Sequence, residues 1–243
     1  MNKVVILGDG LLGAELHKQT GWDVISRKKD NFDITDSSNF DMLIDWYNDP
    51  QYGKLAGTPK YNTVINCIAF TETYSTDRKK HWDVNYRAVA DLVDFCNHWS
   101  IKLVHISTTY VYANSKREAT EEDVPVHQAT HYAHTKLLAD GYVELRGQDA
   151  LLIRTTHKPR PFPFSTAWLN HEGNFDYVDV IASLIVQVIE KKATGVLNLG
   201  TELKTMYGLA KQTNSNVEPT LVQDKLIPTD FSMSLTKMKK LLR

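Results

Sequence analysis

A glycine-rich turn near the start of the chain restricts the fold more than any other feature of the sequence. The segment GDGLLG at residues 8–13 has the pattern G-x-G-x-x-G and directly follows the apolar run Val4–Leu7. A strand that passes through such a turn into a helix is typical of a dinucleotide-binding βαβ unit. Gly8 would allow the tight turn, Gly10 would let the backbone approach a pyrophosphate, and Gly13 would let the helix pack closely on the strand. A purely structural glycine turn is the alternative explanation.

Segments with the apolar character of strands alternate with segments of helical periodicity along most of the chain. The predicted strands are residues 3–7, 23–26, 63–69, 103–107 and 150–153, and the predicted helices are residues 11–19, 39–47, 82–99 and 132–145. The strands are apolar at almost every position, which indicates burial on both faces of a parallel sheet. We therefore expect an α/β fold with a Rossmann-type, doubly wound parallel sheet that helices cover on both sides.

The composition argues against several other classes of protein. The formal net charge is -1 over 243 residues, so no overall positive field would attract nucleic acid. Two cysteines without C-x-x-C spacing imply no disulfide framework, and the histidines show no metal-ligand spacing. No apolar run approaches the roughly 20 residues that span a bilayer, and no signal peptide is recognisable. We therefore expect a cytoplasmic protein with no metal, no membrane partner and no nucleic-acid partner.

The residues at the end of the second predicted strand bear on the choice of cofactor. An acidic residue usually binds the adenosine ribose of NAD at this point, but the chain has Ser26 and Arg27 there. Arg27 could form a bidentate, charge-assisted pair with a 2′-phosphate, which a carboxylate would repel. The sequence therefore favours NADP, with NAD as the alternative cofactor and a solvated basic loop as the alternative explanation. Asp33 could accept a hydrogen bond from the adenine amino group or cap a turn.

Two further signals point to proton transfer. Tyr132 and Lys136 lie four positions apart in a predicted helix and so share one helix face. The Lys136 ammonium beside the phenol would lower the pKa of Tyr132 and make it an acid and base near neutral pH. Thr108 directly follows the preceding predicted strand, at the edge where open α/β sheets bind ligands. A surface helix and a polar strand end are the ordinary explanations of these residues.

These motifs, in this order, resemble the extended short-chain dehydrogenases/reductases, and among them the dTDP-4-dehydrorhamnose reductases and related sugar-nucleotide reductases and epimerases. The matching stretches are residues 6–13, 32–36, 66–71, 84–85, 106–112 and 132–138, with a looser match as far as residue 200. The resemblance implies an NAD(P)-binding Rossmann domain over residues 1–155. It implies a small substrate-binding lobe over residues 156–243 that shares the main core.

The resemblance also implies an activity and the residues that perform it. The protein would be an NAD(P)H-dependent reductase of a nucleotide-linked keto-sugar. Tyr132 would protonate the carbonyl oxygen as hydride arrives from the nicotinamide, Thr108 would orient that oxygen, and Lys136 would tune Tyr132 and hold the nicotinamide ribose. Asn85 would support the strand end that carries Thr108. The residues expected to bind the cofactor are Gly8, Gly10, Leu11, Leu12, Gly13, Ser26, Arg27, Asp33, Ile34, Cys67, Ile68, Ala69, Tyr132 and Lys136.

The chain departs from this family near the expected substrate. Thr109 stands where the reductases often have an acidic residue, and Thr73-Tyr74 stands in place of a Val-Asp pair. Three prolines exclude a helix over residues 158–164, which we expect to form an extended loop over the cleft. Arg160 could meet a diphosphate and Trp168 could stack on a base or sugar, with ordinary loop packing as the alternative. The candidate substrate-binding residues are Thr71, Thr109, Arg160 and Trp168.

Two other functions remain open on the same scaffold. One is a non-catalytic, NADP-binding regulatory subunit, and the other is a sugar-nucleotide epimerase or dehydratase. The complete set of Thr108, Tyr132 and Lys136 favours catalysis, and an epimerase would usually prefer NAD. The helices that begin near Trp82 and Tyr132 carry apolar residues on more than one face, which is compatible with a homodimer.

Overall fold

The computed structural model describes residues 3–50, 54–113, 115–123 and 130–243 of the chain. The strands, in chain order, are β1 (Val4–Leu7), β2 (Asp23–Ile25), β3 (Ile44–Asp49), β4 (Lys54–Pro59), β5 (Thr63–Asn66), β6 (Lys102–Thr108), β7 (Ala150–Thr155), β8 (His157–Lys158), β9 (Thr166–Trp168), β10 (Glu172–Gly173), β11 (Asp176–Tyr177), β12 (Gly195–Asn198), β13 (Lys204–Thr205), β14 (Glu218–Thr220) and β15 (Asp230–Phe231). The helices are α1 (Leu11–Thr20), α2 (Arg27–Asp30), α3 (Arg78–Trp82), α4 (Ala88–His98), α5 (His131–Arg146), α6 (Val178–Glu190), α7 (Met206–Ala210) and α8 (Thr236–Leu241).

The main sheet is parallel and has the strand order β12-β7-β6-β5-β1-β2. The chain leaves β1 toward β2 on one side and returns to β5 on the other, so the strand order reverses at β1. In such sheets the ligand crevice lies where the order reverses, outside the carboxyl ends of the strands. The predicted α/β, doubly wound fold is therefore confirmed, and it places the glycine-rich turn at the crevice.

Both faces of this sheet are buried, as the apolar strands predicted. Along β1, Val4 and Ile6 pack on one side, in a core with α1 and α6. The alternate residues Val5 and Leu7 pack on the other side, in a core with the long helix that includes α4. Successive side chains of a strand point to opposite faces, so a strand between two helical layers must be apolar throughout.

The predicted helix over residues 39–47 is wrong. A 3₁₀ helix covers Ser37–Leu43 and buries Phe40, and the chain then enters β3, which pairs antiparallel with β4 outside the main sheet. The apolar spacing that suggested a helix comes from residues with separate environments. Phe40 faces the core, whereas Trp46 lies in the β3–β4 hairpin and packs edge-on against Trp99. The run of aromatic residues in β3 favours extended backbone, which short-range periodicity did not resolve.

The predicted long helix over residues 82–99 is present, with an interruption. α3 continues through a π-helical segment, Asp83–Arg87, into α4. The π segment contains the buried Asn85, whose side chain accepts from Phe70 N at 2.8 Å and donates to Phe70 O at 3.0 Å. Asn85 thus fixes the segment that follows β5. We expected Asn85 to support the strand that carries Thr108, and the structure corrects this, because its contacts are with Phe70.

The last third of the chain contributes to the main sheet and also forms smaller sheets beside it. β12 pairs with β7, and α6 packs on α1, while β8 to β11 and β13 to β15 form short pairings above the carboxyl ends of β6 and β7. Residues 158–164 are not helical, as the prolines predicted. The domain boundary at residue 155 stays a prediction. Within the described ranges, no helix has the length and apolar character needed to cross a membrane.

Candidate active site

A groove of about 280 Å³ lies at the carboxyl ends of β1 and β5, where the strand order reverses. It brings together eight of the residues predicted to bind the cofactor, namely Gly8, Gly10, Arg27, Asp33, Ile34, Cys67, Ile68 and Ala69. The remaining lining residues were not among the predicted cofactor-binding residues, and they are Asp9, Phe32, Phe70, Lys80 and Val84. The six other predicted residues do not line the groove, and they are Leu11, Leu12, Gly13, Ser26, Tyr132 and Lys136.

The glycine-rich turn has the close packing that a dinucleotide site requires. Gly8 has φ +99°, a left-handed conformation that favours glycine. A Cβ on Gly13 would lie 2.0 Å from Gly8 O, so α1 approaches β1 more closely than any other residue would allow. Gly10 has open space where a Cβ would be, and no side chain caps the helix that begins after it. The first N–H groups of α1 are therefore free for a phosphate, and these residues fit a dinucleotide.

The adenosine end of the groove contains Ser26, Arg27 and Asp33. Ser26 is buried, and its hydroxyl accepts from Lys29 N at 3.2 Å as the N-cap of α2. The Arg27 guanidinium pairs with the Asp33 carboxylate and stays largely exposed. Burial opposes ionisation of Asp33, but hydrogen bonds from Thr35 and Arg27 hold its pKa below the usual value. Arg27 is thus placed on the groove, whereas the Ser26 hydroxyl is used in helix capping.

Thr108 and Tyr132 meet at the carboxyl end of β6. Thr108 ends that strand, and Tyr132 lies in the first turn of α5, which Thr130 caps by accepting from Ala133 N at 3.2 Å. Burial raises the pKa of Tyr132, and a hydrogen bond with the Thr108 side chain lowers it only in part. The expected lowering of the Tyr132 pKa is therefore wrong for the protein itself. Tyr132 is a neutral phenol, which is the state of a proton donor.

Lys136 shares a helix with Tyr132 but points to a different partner. Its side chain is 1% exposed, and Nζ donates to Ile106 O at 2.9 Å and lies 3.1 Å from His105 Nε2. Burial lowers the pKa of Lys136 to about 8, against the opposing charges of Asp140 and Cys67. The structure therefore places Lys136 on β6, beneath the Cys67 side of the groove, and not on the Tyr132 phenol.

A buried polar network, which the sequence analysis missed, supports the strand ends below this site. Asp140, one turn after Lys136, accepts hydrogen bonds from Ser107 and from Arg154 Nε, the latter at 3.0 Å. Arg154 also donates to the Tyr112 hydroxyl at 2.7 Å. These side chains are almost fully buried, so the network ties α5 to β6 and β7 directly behind the predicted catalytic residues.

A second cavity, of about 430 Å³, lies beside Tyr110 above β6 and β7. Aromatic side chains dominate its lining, namely those of Tyr74, Tyr110, Phe162, Phe164, Trp168, Phe175 and Phe231. Tyr110 connects the cavity to the predicted catalytic residues, because its ring centroid lies 5.9 Å from that of Tyr132. Its hydroxyl lies 2.9 Å from that of Tyr74, so two phenols form one wall of the cavity.

Two of the four predicted substrate-binding residues line this cavity and two do not. Thr109 and Trp168 belong to the lining. Arg160 turns away from it, since its Nε donates to Asp179 at 2.8 Å and its guanidinium lies over the Tyr177 ring. Thr71 is exposed and outside the lining. The guanidinium thus has an ionic and an aromatic partner outside the cavity, and the expected contact of Arg160 with a diphosphate stays a prediction.

Sequence reasoning missed the polar residues of the cavity, Lys158 and His171. Burial lowers the pKa of both, that of His171 to about 4 with a contribution from the Lys158 charge. In the part of the chain that the structure describes, no carboxylate pairs with Lys158 and His171 Nδ1 has no hydrogen-bond partner. Lys158 follows the carboxyl end of β7, so the rule that ligands bind at strand ends could have found it. His171 lies in a loop and carried no sequence signal.

Comparison with known proteins identifies the family. Residues 1–157 match the family described as the RmlD substrate binding domain, and the chain belongs to this family. The predicted resemblance to dTDP-4-dehydrorhamnose reductases is confirmed. A related protein is the spore coat polysaccharide biosynthesis protein SpsK of Bacillus subtilis (strain 168), 25% identical over 190 residues, which are 76% of this chain and 59% of SpsK. The match thus spans less than two thirds of that relative.

Two further relatives were found. The dTDP-4-keto-6-deoxy-D-glucose reductase of Streptomyces niveus is 25% identical over 238 residues, which cover 84% of this chain and 74% of that protein. The solved dTDP-4-dehydrorhamnose reductase of Bacillus anthracis, in complex with NADP, superimposes with a TM-score of 0.78 at 18% identity. That superposition covers 99% of this chain and 92% of the other, and it shows a common fold.

Proposed function

We propose that the protein is an NADPH-dependent reductase of a nucleotide-linked keto-sugar. The observation that carries this proposal is the hydrogen bond between Thr108 and Tyr132 at the carboxyl end of β6, where the Tyr132 ring packs against Tyr110 of the aromatic cavity. A reductase needs a proton donor between its cofactor and its substrate. The Streptomyces niveus and Bacillus anthracis relatives are both named as sugar-nucleotide reductases, which supports the same activity.

The chemistry divides between the cofactor and the protein. A bound nicotinamide supplies the hydride that reduces the carbonyl carbon. Tyr132, kept protonated by its raised pKa, gives its phenolic proton to the carbonyl oxygen. Thr108 positions that oxygen and shares the negative charge that develops on it. Once its amine is protonated and turned away from His105, Lys136 would bring a positive charge toward the phenol and help Tyr132 to release the proton.

The composition of the cavity supports a nucleotide-linked sugar as the substrate. Its aromatic faces could stack on a base or on the apolar face of a sugar. Lys158 is a cation in its lining, and Asp and Glu are absent from the described residues that line it. An anionic group such as a diphosphate would therefore find an unpaired ammonium there, and His171 Nδ1 could contact a neighbouring polar group.

Lys158→Met should raise the KM for the nucleotide-sugar about 10- to 100-fold, because a charge-assisted contact with a phosphate is lost. The affinity for NADPH should not change, since Lys158 lines the cavity and not the groove. Steady-state kinetics and an NADPH titration would measure both effects. Arg160→Met is the matched control, because Arg160 is a nearby cation that pairs with Asp179. The KM of this variant for the nucleotide-sugar should change less than about twofold. Equal effects of the two substitutions would contradict the assignment of Lys158.

Arg27→Ala should weaken NADPH binding about 10- to 100-fold and leave NADH binding unchanged, because only NADPH carries the 2′-phosphate. Fluorescence titration of each cofactor would give the two Kd values. Lys28→Ala removes an exposed cation that does not line the groove, and it should affect neither cofactor. If Arg27→Ala weakens both cofactors equally, its partner is a group that NADPH and NADH share, and the NADP preference is wrong.

The test of the function is NADPH and NADH oxidation, followed by absorbance, against a panel of nucleotide-linked 4-keto-6-deoxy sugars. Turnover with NADPH and formation of the hydroxy-sugar would support the reductase. NADPH binding without reduction of any sugar in the panel would overturn it in favour of a binding subunit. Interconversion of sugar epimers without net cofactor consumption would overturn it in favour of an epimerase.

A further inference from the structure

Lys136 takes part in a chain of hydrogen bonds that starts at the backbone of the cofactor groove. Ile68 N donates to Asn66 Oδ1 at 3.0 Å, and Asn66 Nδ2 lies 3.2 Å from His105 Nδ1. His105 Nε2 in turn lies 3.1 Å from Lys136 Nζ, which donates to Ile106 O at 2.9 Å. Asn66, His105 and Lys136 are at most 1% exposed, so no solvent competes with these contacts.

The backbone N–H of Ile68 sets the direction of this chain. An N–H can only donate, so it must face the amide oxygen of Asn66, and the amide NH₂ must face His105. His105 Nδ1 then accepts a hydrogen bond, which in a neutral imidazole places the proton on Nε2. The Nε2–H group points at Lys136 Nζ and needs an acceptor there.

Only the neutral amine of Lys136 satisfies every group in the chain. An uncharged amine has one lone pair, which can accept from His105 Nε2–H while an amine hydrogen bonds Ile106 O. An ammonium has three donors and no acceptor, so it would set an N–H against an N–H at a buried site. Protonation of Lys136 therefore breaks its contact with His105.

The groups that face Lys136 are consistent with this assignment. Asp140 on α5 is the nearest carboxylate, but Arg154 of β7 already pairs with it at 3.0 Å. Burial raises the pKa of the Cys67 thiol to about 12 and raises that of Tyr132, so both groups are neutral near pH 7. Burial lowers the pKa of His105 well below its usual value and that of Lys136 to about 8.

We propose that His105 is a positioning residue that holds Lys136 on β6 as a neutral amine at alkaline pH, and that a proton taken up when the cofactor binds under these conditions frees Lys136 to face the groove. Lys136 does not line the groove, so its side chain must move or become protonated before it can act on a bound cofactor. A cofactor with phosphate groups favours the charged form by its negative charge. The link to catalysis rests on the proposed reductase function, whereas the state of Lys136 does not.

The proton balance of cofactor binding follows from this coupling. Well below the Lys136 pKa of about 8, the amine is protonated in the free protein and cofactor binding needs no further proton. Near pH 9 the free protein holds the neutral amine, so binding of NADPH should take up close to one proton. The apparent affinity for NADPH, which then includes protonation of the free protein, should accordingly fall as the pH rises above about 8.

The first test reads the state of His105 directly. Nitrogen-15 NMR of histidine-labelled wild-type protein at about pH 9 should show His105 as the Nε2–H tautomer. In Asn66→Asp, one carboxylate oxygen can accept from Ile68 N and the other from His105, which moves the proton to Nδ1 and lets Nε2 accept from a Lys136 ammonium. Asn62→Asp adds the same charge just before the other end of β5 and should leave the tautomer unchanged. A wild-type Nδ1–H tautomer, or an Asn66→Asp spectrum identical to that of wild type, overturns the proposal.

The second test measures the proton uptake that accompanies NADPH binding and the pH dependence of catalysis. Calorimetry of NADPH binding in buffers of different ionisation enthalpy should give about one proton taken up near pH 9 and almost none near pH 7. Asn66→Asp should abolish the uptake near pH 9 and move the alkaline limb of the kcat/KM profile for NADPH upward by about one pH unit or more. No uptake in the wild type would overturn the proposal. If NADPH binds with the expected uptake but no keto-sugar is reduced, the reductase function fails and the assignment of His105 stands.

Discussion

Tyr132→Phe is expected to lower kcat for keto-sugar reduction about 10²- to 10⁴-fold, the usual contribution of a positioned general acid. The variant removes only the phenolic oxygen, and the ring keeps its neighbours Tyr110 and His81, with centroids 5.9 and 6.2 Å away. The structure should therefore remain intact, and the Kd for NADPH should change less than about threefold. Single-turnover kinetics with saturating NADPH would measure the loss in the chemical step.

Tyr142→Phe is the matched control for that substitution. It removes a phenolic oxygen from the same helix, α5, at a site where the hydroxyl contacts Asp94 at 2.9 Å near the surface. Its kcat should stay within about twofold of the wild type, since an exposed contact of this kind contributes little. If Tyr132→Phe retained more than about one tenth of wild-type kcat, Tyr132 would not be the proton donor, because loss of a general acid costs more. The neighbouring phenol of Tyr110 would then be the group to test.

The sheet and the groove could be predicted because their determinants are local in sequence. Val4–Leu7 is apolar on both faces, and the glycine pattern follows it at once, so strand, turn and helix could be assigned from a short segment. Gly8 and Gly13 are then required by geometry, through a left-handed backbone and a 2.0 Å approach. The parallel order places other strand ends at the same edge, and Cys67, which the family resemblance placed in the groove, lies in its lining.

The hydrogen-bond partners of the predicted residues could not be predicted, because they depend on contacts between distant segments. The spacing of Tyr132 and Lys136 gives a shared helix face, but the flexible lysine side chain reaches His105 and Ile106 instead. Arg160 likewise forms an ion pair with Asp179, which lies 19 residues further along the sequence. Each side chain took the partner that the tertiary fold brought within reach.

One overlooked pattern in the sequence does correspond to the site. His105 and Ser107 are polar residues at alternate positions inside β6, where the other interior residues are apolar, so they lie on one face of the sheet. Lys136 and Asp140 lie four positions apart on α5 and contact His105 and Ser107, respectively. Polar residues at i and i+2 share one face of a strand, and polar residues at i and i+4 share one face of a helix. Where two such sets occur in neighbouring elements, they indicate a buried polar interface between the strand and the helix.

Asp140→Ala is expected to lower the free energy of unfolding by about 3–5 kcal/mol, because it leaves Arg154 charged and unpaired in the core. Both side chains are at most 2% exposed, and among the described residues the Tyr112 hydroxyl is the other hydrogen-bond partner of Arg154. Urea denaturation followed by far-ultraviolet circular dichroism would measure the change from the midpoint at constant slope. The loss should exceed that of any single exposed ion pair in the protein.

The pair formed by Lys102 and Asp149 is the control for this effect. Its Nζ–Oδ1 distance of 2.9 Å is similar, but the Asp149 side chain is 59% exposed, so Asp149→Ala should cost less than about 1 kcal/mol. The double substitution Asp140→Leu with Arg154→Met should recover most of the stability lost in Asp140→Ala, because no buried charge then lacks a partner. If Asp140→Ala cost no more than Asp149→Ala, water would reach Arg154, and the strand ends behind Thr108 and Lys136 would be open to solvent.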